Sequence, residues 1–174
     1  MLGDREDAYR LLARLGAPGR LLTHLKLVGE AADQLIELYR ALGFDFDARR
    51  IELGVAVHDA GKILFQDELN DPGSLHEEAG RRLMLEHGVQ AEIAASCVSH
   101  AAWAEAGVSF EERSVALADK LWKGKREEAL ELAVIDEVAL RLGVDRWELF
   151  QRLDTGFEEI ASLGPERLER SRAR

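Results

Sequence analysis

The 174-residue chain has one cysteine, Cys97, and three prolines. A lone cysteine excludes a disulfide framework and a Cys-rich zinc site. Basic residues are in deficit, 23 Lys and Arg against 33 Asp and Glu, for a formal charge of −10. That balance argues against a duplex nucleic-acid surface, which is basic, though it leaves room for a small basic pocket. No apolar run approaches the roughly 20 residues of a membrane span. The first residues, Met1 to Asp7, are charged and lack the apolar stretch of a signal peptide. Together with the single thiol, this places the expected location in the cytoplasm.

Strand-like alternation of β-branched and polar residues is also missing. The strong helix formers Ala, Leu, Glu and Arg dominate instead. A hydrophobic content of 47% with 32% charged residues belongs to a globular chain. A chain of this length buries roughly 70% of the surface that its unfolded form exposes, so it needs no disulfides. The three prolines sit beside glycines, as Pro18-Gly19, Pro72-Gly73 and Gly164-Pro165, and read as breaks. Between them the pattern predicts helices over about 4–15, 19–42, 47–61, 74–87, 89–102, 109–122, 125–142 and 145–162. Residues 63–74 read as a loop. Ser74-Leu75-His76-Glu77 and Ser109-Phe110-Glu111-Glu112 have the form of capping boxes. The Arg/Glu-rich tail over 165–174 reads as frayed. The expected fold class is all-α, one domain over 1–174 with seven or eight helices.

The long second helix carries an apolar stripe with one exception. Leu21, His24, Val28, Ala31, Leu35, Leu38 and Leu42 alternate at spacings of three and four, and His24 alone is polar. The same anomaly recurs. His58 shares a face with Ile51 and Val55 and is followed by Asp59. His76 shares one with Ala79 and Leu83, His100 with Ile93 and Cys97, and Asp119 with Val115 and Trp122. Any one of these could be a satisfied core residue. Six together, from five helices, point to a shared site, because a buried aspartate is costly unless paired or bound to metal. Imidazole with carboxylate suits Mn, Fe, Co, Ni and Zn.

The order His24, His58-Asp59, His76, His100, Asp119 resembles the H…HD…H…H…D signature of the HD-domain superfamily, all-helical metal-dependent phosphohydrolases. The resemblance covers about residues 18–126 and leaves helices over about 125–162 outside the signature. It implies that His24, His58, Asp59 and Asp119 hold one divalent metal. His76 and His100 then hold a second, with Asp59 bridging. It further implies hydrolysis of a phosphate ester or anhydride by a metal-bound hydroxide, since two cations about 3.5–4 Å apart can activate water and clamp phosphoryl oxygens. Arg20-Leu21-Leu22-Thr23-His24, Val28-Gly29-Glu30-Ala31-Ala32, Leu75-His76-Glu77 and Ala118-Asp119 also resemble the small HD hydrolases that split dinucleoside tetraphosphates symmetrically. In that group the histidine matching His100 is usually followed by Thr and Gly. Here Ala101-Ala102-Trp103 follows.

Basic residues cluster around the signature. Lys62 lies three residues after Asp59 and is the expected catalytic partner of that carboxylate. Arg20, Lys120, Lys123, Lys125 and Arg126 are candidate phosphate contacts, or helix-end charges that complement the dipole and stay solvated. Trp103 is either a base-stacking ring or a core plug, and Trp122 and Trp147 read as core. His87 lies too far along its helix to join His76. The expected substrate is a small phosphate-containing anion, a nucleotide foremost. Two other readings stand beside hydrolysis: an HD-type mixed di-iron oxygenase and a non-catalytic HD signalling module. Residues such as Ala129, Leu132, Ile135 or Asp136, and Ala139 place the last helices against the core or in a homodimer surface.

Overall fold

Helix α2 (Gly19–Leu42) is the spine of the molecule. Its apolar stripe is buried from Leu21 to Leu35, and it ends at Gly43, whose left-handed φ of 77° closes the last turn without a Cβ clash. The computed structural model describes residues 1–173. The other helices are α1 (Arg5–Arg14), α3 (Ala48–Val57), α4 (Leu75–Glu86), α5 (Ala91–Ala94), α6 (Ser96–Ser99), α7 (Phe110–Leu121), α8 (Glu128–Leu142), α9 (Arg146–Ser162) and α10 (Gly164–Arg172). Eight of the ten have nine residues or more, and the described residues contain no strand. The fold is an all-α bundle. Among the described residues no helix is long and apolar enough to cross a membrane.

Two apolar clusters meet at α3. Ile51 and Val55 join Leu35 of α2, Leu117 of α7, Val134 of α8 and Phe157 of α9. Leu53, Ala56 and Val57 join Leu12 of α1, Leu25 of α2 and Cys97 of α6. Helix α3 is thus covered on both sides, which is why its last turns carry no charge. The chain leaving it puts His58 and Asp59 in the interior.

Several boundaries differ from the sequence reading, each for a local reason. Helix α3 stops at Val57 rather than 61. His58 Nδ1–H donates to the Val55 carbonyl at 2.8 Å, and the chain tightens into a 3-10 turn over Ala60–Ile63. A second 3-10 turn over Gln66–Leu69 interrupts the expected loop. The helix expected over 89–102 is two short pieces, α5 and α6. Ser99 Oγ–H and His100 Nδ1–H donate back to carbonyls four residues earlier, which competes with a regular helix. Ser109 does form its capping box. Ser74 does not: both Glu68 carboxylate oxygens accept instead, from the amides of Leu75 and His76 at 3.0 and 3.1 Å.

The described part of the tail is helical up to Arg172. Residues 164–172 form α10, and only residue 174 lies outside the described residues. Arg167 is 1% exposed. Its guanidinium donates to the Ile160 carbonyl at 2.8 Å and to Gln34, so charged heads rather than an apolar stripe dock this helix. Trp122 is core, but Trp147 is 68% exposed, tilted against Phe150 and beneath the Arg146 guanidinium. The buried face of α8 runs through Leu130, Val134, Ile135 and Val138, leaving Ala129 and Asp136 exposed.

Candidate metal centre

Five segments bring six polar side chains together. His24 comes from the second turn of α2 and His58-Asp59 from the end of α3. His76 starts α4, His100 follows α6, and Asp119 lies in the last turns of α7. Donor atoms of His24, His58, Asp59 and Asp119 lie within 4.8 Å of one another, as do those of Asp59, His76 and His100. Asp59 belongs to both groups. Its Oδ2 lies 3.0 Å from His24 Nε2 and 3.5 Å from His58 Nε2. Its Oδ1 lies 3.2 Å from His76 Nε2 and 3.5 Å from His100 Nε2. Asp119 Oδ1 is 3.2 Å from His58 Nε2 and 3.9 Å from His24 Nε2.

The close seating of His76 beside Asp59 depends on two glycines. A Cβ on Gly61 would lie 1.8 Å from the His76 carbonyl oxygen and 2.8 Å from the Gly80 amide nitrogen. The 3-10 turn after Asp59 therefore presses against α4 backbone to backbone, which a side chain at 61 would prevent.

Three rings are oriented from behind. The Nδ1–H groups of His58, His76 and His100 donate to the Val55 carbonyl, the Glu68 carboxylate and the Ser96 carbonyl. Those acceptors can only accept, so each Nδ1 carries the proton and each neutral ring offers a lone pair at Nε2. These lone pairs face carboxylate oxygens. His76 Nε2 is buried and has no hydrogen-bond partner, although Asp59 Oδ1 is close. A lone pair opposite a carboxylate is repulsive until a cation lies between them, whether a proton or a metal. The donor set fits a divalent metal of the borderline class.

The electrostatics show the same tension. Burial works against the charged form of His58, yet Asp59 and Asp119 raise it to about 9. Burial works against ionised Asp59 too, but His58, with contacts from His24 and His76, holds its carboxyl well below the usual range. Asp119 is lowered in the same way, chiefly by His58. His76 is raised by Asp59 and Glu68 despite burial. His100 is lowered, by burial and then by His58.

Glu68 is absent from the sequence reading. It lies in an irregular stretch with no helical period, and only its position eight residues before His76 hinted at contact. Lys62 lies in the 3-10 turn after α3, not on the expected longer helix, with Nζ 3.1 Å from Asp59 Oδ2. Arg20, one turn before His24, lines a hollow with His24 and Lys62. The remaining basic residues are not brought there. Arg126 is enclosed by Glu131, Asp154 and Glu158 and ties α8 to α9. Lys120 pairs with Glu127 at 3.6 Å. Lys123 and Lys125 are exposed and line no part of that hollow. Trp103 is half-buried against the larger apolar cluster, whereas Trp122 packs edge-on to His24, with ring centres 4.9 Å apart. His87 is exposed and donates to the Leu83 carbonyl.

No curated protein and no solved structure matches the chain. The family described as HD domain matches residues 21–123. That span is more than half of the chain and carries all six residues of the two donor groups, and the protein belongs to the HD domain family.

Proposed function

We propose that the protein is a metal-dependent phosphohydrolase that holds two divalent ions and cleaves a phosphate ester or anhydride in a small anionic substrate. A nucleotide is the leading substrate class. One observation carries the reading: the two oxygens of Asp59 face separate pairs of imidazole nitrogens, three of them on rings already donating through the opposite nitrogen. HD domains are typically metal-dependent phosphohydrolases, which supports the same class.

His24, His58, Asp59 and Asp119 would hold one ion, and Asp59, His76 and His100 the other, with Fe, Mn, Co, Ni or Zn suited to these donors. Divalent metals bound there supply Lewis acidity toward phosphoryl oxygens and a water nucleophile at neutral pH. Lys62 places a cation beside Asp59 and toward the open side, where it offsets charge on a phosphate in the transition state. Arg20 adds a second cation on that side. Burial of His58, His76 and His100 keeps bulk water from their nitrogens and strengthens these interactions. The likeness to hydrolases that split dinucleoside tetraphosphates makes dinucleoside polyphosphates one member of the test panel.

The test is phosphate release from dinucleoside polyphosphates, nucleoside mono- and triphosphates and simple phosphate esters, with Mn²⁺, Fe²⁺, Co²⁺ or Ni²⁺ added. Turnover of at least one substrate, abolished by chelator, is the expected result. Release from none, by protein that carries metal, contradicts it; oxygen consumption by a di-iron form would then favour oxidation on the same donors.

A further inference from the structure

The hollow beside His24 continues outward. A cavity of about 190 Å³ is lined by Arg20, His24, Lys62, Leu69 and Ser171. Another of about 770 Å³ is lined by Gly19, Arg20, Thr23, Ser171, Arg172 and Ala173. They share Arg20 and Ser171 in their linings, so the two hollows adjoin, and together they make a channel-like surface with a metal-ligand candidate at one end and the end of α10 at the other. Among the described residues that line it, Arg20, Lys62 and Arg172 are charged and none is an aspartate or glutamate, in a chain with 33 acidic and 23 basic residues. Among the described residues Arg172 makes no ion pair, and Arg20 donates to the neutral Asn70 at 2.8 Å and to no carboxylate. The channel also meets the start of α2, which has no side-chain cap and no acid in its first turn.

Helix α10 lies outside the matched span, yet it is firmly docked. Arg170 donates twice to the Glu30 carboxylate, at 2.8 and 2.7 Å, and Arg167 is buried against the Ile160 carbonyl. Ser171 and Arg172 are therefore presented by a docked helix to the hollow that Arg20 also lines.

We infer that Ser171 and Arg172 belong to the substrate site, where with Arg20 they bind an anionic group beyond the phosphate that reacts. The inference rests on the phosphohydrolase reading and narrows it: the substrate carries a polyphosphate chain or a second anionic group. Two guanidinium groups lining one hollow suit phosphate oxygens, to which arginine binds through paired N–H donors. Arg172 selects among substrates and takes no part in bond cleavage.

The experiment is calorimetric binding of inorganic tripolyphosphate and of orthophosphate to the full chain in excess Mn²⁺. Wild type is expected to bind tripolyphosphate at least about tenfold more tightly, the scale of one added charge-assisted contact. Arg172→Ala removes most of that preference and Arg172→Glu removes all of it. Arg172→Lys retains part, and orthophosphate binding stays unchanged throughout. Equal binding of the two anions by wild type, or an unchanged preference in a folded Arg172→Glu, overturns the inference. If phosphate release persists in that case, the channel is wrong and the hydrolase reading stands. If the preference appears without phosphate release, the channel stands and the hydrolase reading is wrong.

Discussion

Asp59 Oδ2 lies 3.0 Å from His24 Nε2 while Asp59 Oδ1 lies 3.2 Å from His76 Nε2, so one carboxylate joins two sets of imidazoles on opposite sides. Replacing it should damage both halves at once. Asp59→Ala is expected to fold, because it removes a buried charge along with its contacts. Metal affinity should fall by more than the roughly 10–100-fold that loss of an outer partner costs, and turnover should disappear. Circular dichroism with metal analysis checks this. A variant that kept one half fully loaded would show that the two groups do not share Asp59.

Glu68 acts from behind. Its carboxylate accepts from His76 Nδ1–H and from two amides at the start of α4. Glu68→Gln keeps an acceptor but loses the charge that makes the His76 ring a stronger donor. Metal affinity or activity is expected to drop about 10–100-fold with little change in helix content. Glu68→Ala should cost a further ~1 kcal/mol of stability, as loss of a helix cap does. Thermal melts and metal titrations of the two variants separate these effects.

Gly61→Ala tests the backbone approach that seats His76. Its Cβ would meet the His76 carbonyl oxygen and the Gly80 amide nitrogen, atoms that cannot rotate away. Overpacking of this kind costs about 1–3 kcal/mol or more. The melting temperature should fall, and metal affinity should fall with it because His76 moves from Asp59. An unchanged melt and full metal loading would mean that the 3-10 turn yields easily.

Arg126 is a structural residue by its contacts, since Glu131, Asp154 and Glu158 surround it. Arg126→Ala should lower stability by about 1 kcal/mol, the upper end for partly exposed ion pairs, and leave KM for phosphate substrates unchanged. A raised KM with an unchanged melt would return it to the substrate site.

The four histidines and Asp119 were legible in the sequence because each breaks an otherwise apolar face at helical spacing, and Asp59 stood out as the neighbour of His58. His24 within the stripe from Leu21 to Leu42 is the clearest case. Glu68 was not legible, because a 3-10 turn has no long period and the contact depends on how the loop folds back onto α4. The docking of α10 was hidden for a different reason. Arg167 is charged and reads as solvated, yet its guanidinium satisfies a buried carbonyl. Trp147 shows the converse, a large apolar ring that reads as core and lies at the surface. Residues after Asp119 looked clustered along the chain, but α7 ends at Leu121 and the turn after it sends Arg126 toward α9.

The most direct measurement is the metal stoichiometry of chelator-stripped protein titrated with Mn²⁺, for wild type, His76→Ala and His100→Ala. Two equivalents are expected in wild type and one in each variant, with most activity lost. Two equivalents in all three proteins, or none in wild type, would contradict the two-metal reading.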